Sequence, residues 1–148
     1  MRSEYMKAAL LEAKAALDAG EVPVGAVIVH DGKIIAAAHN EREERLDPTA
    51  HAEVLALRRA AKVLGRRRLG DCQLYVTLEP CPMCAGAIVM ADVGSVYYGA
   101  ADETAGCAGS VYALPEDPAF GKKIPCMGGL MEDKCKEILD GFFEERRG

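Results

Sequence analysis

Residues able to bind a transition metal stand close together in two short segments, His51-Ala52-Glu53 and Pro80-Cys81-Pro82-Met83-Cys84. Imidazole nitrogen and cysteine thiolate are the usual donors to zinc. Cysteines three positions apart at the start of a helix lie on one face, close enough to grip one ion. The positive helix end and a bound cation both favour their thiolate forms. His51, Cys81 and Cys84 together supply three donors, and no fourth is evident in the sequence. That number suits a catalytic zinc, whose fourth tetrahedral position stays free for water, whereas a structural zinc is usually closed by four. Glu53, two residues beyond His51, completes the set as the proton carrier: a carboxylate beside an activated water can take its proton and return it to a leaving group.

Taken singly, each residue has a plainer reading. A lone Cys-x-x-Cys can be a redox pair, His51 can be a helix-start residue, and Glu53 can be a first-turn acid that suits the helix dipole. The conjunction of residue types, spacings and helix starts favours a catalytic metal site over all three.

The elements that must carry these residues are legible in the surrounding pattern. Met6, Leu10, Ala13 and Leu17 recur at helical steps before Gly20, so residues 3 to 19 read as an amphipathic helix. Two apolar runs, 24–30 and 33–39, flank Asp31-Gly32 as a tight hairpin. A polar loop from Asn40 to Arg45 leads to Asp47-Pro48-Thr49, which announces a helix through about Lys62, with His51 and Glu53 at its start. Residues 73–78 read as a buried strand, Pro82 as the first turn of a helix running to about Ala91, and 95–100 as a further strand. This alternation predicts an α/β fold, a three-layer α/β/α domain with a mixed five-stranded sheet. From Asp102 to Gly129 the many glycines and prolines predict loops with one short strand near Ile124. A final helix, about Glu132 to Arg146, should bury Cys135, Ile138, Leu139, Phe142 and Phe143.

The 148 residues, half of them hydrophobic, are expected to form one domain, 1–148. No apolar run is long enough to span a bilayer, and the charged first residues do not read as a signal peptide, so a cytoplasmic location and no membrane role are expected. Six cysteines without a secretory signal suggest metal binding rather than a disulfide framework, with Cys72, Cys107, Cys126 and Cys135 read as buried or incidental thiols. The net charge of -5 argues against nonspecific coating of nucleic acid. Local basic clusters remain that could neutralise phosphates: Arg58, Arg59 and Lys62, Arg66 to Arg68, Lys122 with Lys123, and Arg146 with Arg147.

The pattern H-x-E followed by P-C-x-x-C is the signature of the zinc-dependent nucleobase deaminases. Within that superfamily the chain resembles the bacterial tRNA adenosine deaminases, of the cytidine deaminase-like fold. The likeness runs over most of the chain, through segments 21–26, 47–53, 74–81, 83–87 and the pair Phe142-Phe143. It implies hydrolytic conversion of adenosine to inosine at the wobble position of tRNA, with Zn2+ held by His51, Cys81 and Cys84, and Glu53 as the catalytic acid-base. It also implies substrate binding by Asn40, Val22, Pro23 and Ala52, an RNA-side role for Asp102, an anticodon stem-loop as partner, and a homodimer. Thr104 stands where a lysine often occurs in that family, and Gly121-Lys122 where an asparagine-histidine pair is usual. Both departures fall on the RNA side. They keep open a second reading, deamination of a free heterocyclic base such as guanine, a modified purine or a triazine. A noncatalytic zinc-stabilised RNA-binding module is a third, which Glu53 argues against.

Overall fold

Pairing in the computed structural model builds a mixed five-stranded sheet of order β2-β1-β3-β4-β5. The structure describes residues 2–147; residues 1 and 148 and the side chains of Arg2 and Arg147 lie outside the description. The elements in chain order are α1 (Arg2–Asp18), β1 (Gly25–His30), β2 (Lys33–His39), α2 (Arg42–Arg45), α3 (Ala52–Leu64), β3 (Cys72–Leu78), α4 (Pro82–Ala91), β4 (Ser95–Ala100), β5 (Cys126–Met127) and α5 (Glu132–Arg147). Strand β1 runs antiparallel to both β2 and β3, while β3, β4 and β5 are mutually parallel. Helices α1 and α5 pack together, as do α3 and α4. The two pairs enclose the sheet in the α/β/α architecture that the alternating pattern predicts.

Helix α1 sits closer to the sheet than its leucines suggest. Its innermost stripe is Met6, Ala9, Ala13 and Ala16, all fully buried, whereas Leu10 and Leu17 are only half-buried at its flanks. The cause is Gly25 at the start of β1: a Cβ there would overlap the Ala9 carbonyl oxygen and the Ala13 nitrogen. Small residues on one side and glycine on the other allow the backbones to meet. On the same face, Tyr75 stacks on Tyr97 at 4.7 Å and meets Tyr5 at 5.2 Å between ring centroids.

Several local expectations need correcting. Helix α3 begins at Ala52, not at Asp47-Pro48-Thr49. Asp47 Oδ1 instead accepts the Thr49 N–H at 2.8 Å and its hydroxyl at 2.7 Å, closing a turn before the helix. The polar loop after Asn40 contains the short helix α2, because the buried Glu21 carboxylate accepts the N–H groups of Glu43 and Glu44 at 3.0 and 2.8 Å. The late strand β5 lies at Cys126–Met127, just beyond the buried Ile124. In α5, Cys135, Leu139 and Phe142 are buried and Ile138 is half-buried, whereas Phe143, one turn beyond Leu139 at the end of the helix, is exposed.

Candidate metal centre and its carboxylate

Two helix starts meet at the centre. His51 is the N-cap of α3 and Cys81 the N-cap of α4, both in extended backbone (φ -80, ψ 151 and φ -75, ψ 175). Pro82 occupies the opening turn of α4, where its fixed φ fits the helix and its missing N–H costs nothing. One turn on, Cys84 returns to the side of Cys81. His51 Nδ1 stands 3.6 Å from Cys81 Sγ and 3.5 Å from Cys84 Sγ, and one donor atom from each of the three residues lies within 4.8 Å of the others. Among the described residues, this is the group of histidine, cysteine and acidic side chains close enough to hold a metal ion. The other two histidines are engaged elsewhere, His30 with Asp71 at 2.9 Å and His39 with Glu12 at 2.8 Å.

The electrostatics follow from crowding. Hydrogen bonds from Cys84 and then from His51 pull the Cys81 thiol down to about 4, against the opposing effect of burial. Cys84 moves the other way, because it donates to Cys81 and is buried. His51 is raised chiefly by its bond to Cys81. Burial pushes Glu53 up to about 7. An imidazole and two thiols, one ready to be a thiolate, form a donor set suited to zinc. A buried carboxyl near neutrality beside them suits proton transfer.

Asn40, which is buried, ties the start of α3 to the segment after α1. Its Oδ1 accepts the Ala52 N–H at 2.8 Å and thereby caps α3, while its Nδ2 donates to the Val22 carbonyl at 3.2 Å. One amide N–H remains for a further acceptor. The bond draws Val22, half-buried, and Pro23, buried, towards the start of α3 and the fully buried Ala52. Asp102 is not among these residues: it follows β4, half-buried, and its Oδ1 accepts the Thr104 N–H at 3.1 Å, the Thr104 hydroxyl at 2.9 Å and the Ala105 N–H at 3.1 Å. Thr104, Gly121 and Lys122 are exposed.

Part of the basic surface is already used. Arg59 donates to the Ala37 carbonyl and to Glu41, Arg66 holds Asp71 through two bonds, and Arg146 reaches the Gly20 carbonyl. Arg58, Lys62, Arg67, Arg68, Lys122 and Lys123 are exposed, while the side chain of Arg147 lies outside the described residues. The remaining cysteines are free: Cys72, Cys107 and Cys135 are buried and Cys126 half-buried. Burial pushes Cys72 and Cys135 up to about 11 and Cys126 up to about 12, the behaviour of inert thiols.

Two acids escape sequence reasoning, Glu21 and Glu79. Each is 2% exposed, and each gathers backbone N–H groups from a loop distant in sequence. The one signal available is position: each stands at the edge of a segment that bears site residues, Glu21 before Val22-Pro23 and Glu79 before Pro80-Cys81.

Known deaminases are similar to this chain in sequence and fold. The model of the MafB19-like deaminase family matches residues 2–147. A tRNA-specific adenosine deaminase of Bacillus subtilis (strain 168) is 48% identical over 143 residues, 97% of this chain and 89% of that protein. A solved structure from studies of A-to-I editing by tRNA:A34 deaminases at the wobble position of transfer RNA superimposes with a TM-score of 0.88 at 43% identity, covering 92% of this chain and 99% of that one. The guanine deaminase of Bacillus subtilis is similar over less of the molecule, with a TM-score of 0.63 at 50% identity over 66% of this chain and 63% of its own.

Proposed function

The chain belongs to the MafB19-like deaminase family, and on that premise we propose that it is a zinc-dependent tRNA adenosine deaminase, forming inosine at the wobble position of an arginine tRNA anticodon. The observation that carries the chemistry is the buried Glu53 carboxyl set against the His51, Cys81 and Cys84 donors. The likeness to tRNA deaminases, 48% and 43% identical over nearly the full chain, supports the RNA substrate.

His51, Cys81 and Cys84 would hold Zn2+, which supplies Lewis acidity that brings water to nucleophilic strength near pH 7. Glu53 takes a proton from the attacking water, delivers it to the ring nitrogen, and assists departure of the amino group as ammonia. Adenosine and water are thus converted to inosine and ammonia. The free N–H of Asn40 and the backbone N–H of Cys81 orient the base edge, Val22, Pro23 and Ala52 line its pocket, and Asp102 lies on the RNA side. The nucleotide must leave its stack to enter. We also assign a cytoplasmic location and a homodimer. Exposed apolar side chains on α3, α4 and nearby loops, among them Leu46, Val63 and Met90, support a partner subunit. No helix among the described residues is long and apolar enough to cross a membrane.

The test compares an anticodon stem-loop with a panel of free bases. Inosine should form in the stem-loop, with activity falling steeply as salt rises from about 50 to 200 mM, because phosphate contacts release counterions. Efficient guanine or triazine deamination, beside an inert stem-loop at low salt, would transfer the scaffold to small-molecule work.

A further inference from the structure

Between strand β3 and Cys81 the chain places a carboxylate with no chemistry of its own. Glu79 is 2% exposed, yet four donors converge on it. Its Oε1 accepts the Asp102 N–H at 3.0 Å and the Ser110 hydroxyl at 2.5 Å, while Oε2 accepts the N–H groups of Ala108 at 3.0 Å and Ser110 at 2.8 Å. The carbonyl of the next residue, Pro80, accepts the Cys107 N–H at 2.8 Å. Gly106 allows this approach, since a Cβ there would overlap the Glu79 carboxyl group. The segment 102–110 is therefore folded around one side chain, two residues before a metal donor.

We propose that Glu79 is a positioning residue, whose carboxylate fixes the segment 102–110 as a substrate-facing rim in register with Cys81. The inference rests on the deaminase reading above. Asp102 cooperates from inside the segment: its carbonyl accepts the Gly106 N–H, and its Oδ1 is spent on Thr104 and Ala105. Asp102 thus shapes the rim. Glutamine at position 79 would turn an amide NH2 towards N–H groups that need an acceptor, leaving buried donors unpaired. A rim displaced by about 1 Å is enough to misplace a substrate.

The experiment uses zinc-loaded wild-type, Glu79→Gln and Ser110→Ala proteins with an anticodon stem-loop. Glu79→Gln should keep its zinc, speed hydrogen exchange at the amides of Asp102, Ala108 and Ser110, and raise KM by about tenfold or more with a much smaller change in kcat. Ser110→Ala removes one of the four donors and should shift KM the same way by less, so the inference stays testable if Glu79→Gln folds poorly. Faster exchange with unchanged KM would overturn it, as would a loss confined to kcat and accompanied by loss of zinc. A wild-type protein inert towards the stem-loop refutes the RNA reading instead; the same KM comparison is then made with the free base that is turned over, so the two ideas fail separately.

Discussion

Glu53 depends on burial for its usefulness. In the first turn of an exposed helix it would be an ordinary acid at the positive end of the dipole; burial instead holds its carboxyl near neutrality. Glu53→Ala should keep the fold and the metal but slow deamination by at least about two orders of magnitude, the usual scale of acid-base assistance. Single-turnover inosine formation and elemental analysis on the same sample check both halves. Cys84 is the most enclosed of the proposed donors. Cys84→Ala should lose zinc on dialysis, and full retention would show that the donor assignment is wrong.

Elements act through their ends. The backbone starts of α3 and α4 deliver the donors, and Asn40 ties the first of these starts to the Val22 segment. Removing its side chain would leave the Ala52 N–H and the Val22 carbonyl without these partners. Asn40→Ala should therefore cost about 1 to 2 kcal/mol of stability, within the range for a lost cap or buried hydrogen bond. Urea unfolding measures it, and an unchanged midpoint would mean that water replaces the amide. The same region shows why basic residues cannot simply be counted towards RNA binding. Burial opposes ionisation of Glu41, but Arg45 at 2.7 Å and Arg59 at 3.3 Å outweigh it and hold the carboxyl below its ordinary range. Arg59 serves the fold.

At the scale of the whole molecule, size does not mark the site. A groove of about 950 Å³ opens between α1 and α5, lined largely by apolar residues such as Leu11, Leu17 and Ile138. It is not lined by the His51, Cys81 and Cys84 donors, so the chemistry lies elsewhere. The proposed dimer belongs to this scale too. Sedimentation at assay concentration should give twice the chain mass, and a fully active monomer would defeat it. With a net charge of -5 the overall field does not favour RNA, so exposed local cations such as Arg67, Arg68, Lys122 and Lys123 are the groups available to the phosphates of the proposed substrate.

The sequence by itself determined the hairpin, the succession of the longer strands and helices, and the two motifs, because each is written in a few neighbouring residues: Asp-Gly at a turn, proline in a first helical turn, apolar steps of two or of three and four. The meeting of His51 with Cys81 and Cys84 was legible for the same reason, since both motifs announce helix starts after sheet structure. Tertiary structure alone decided where α3 begins, which stripe of α1 touches the sheet, that Phe143 stays outside, and that Glu21 and Glu79 are buried anchors. These outcomes depend on partners remote along the chain: the cap of α3 comes from twelve residues upstream and the donors to Glu79 from as far as 31 residues downstream. A local pattern cannot show that an acid is buried, because burial is set by what packs around it.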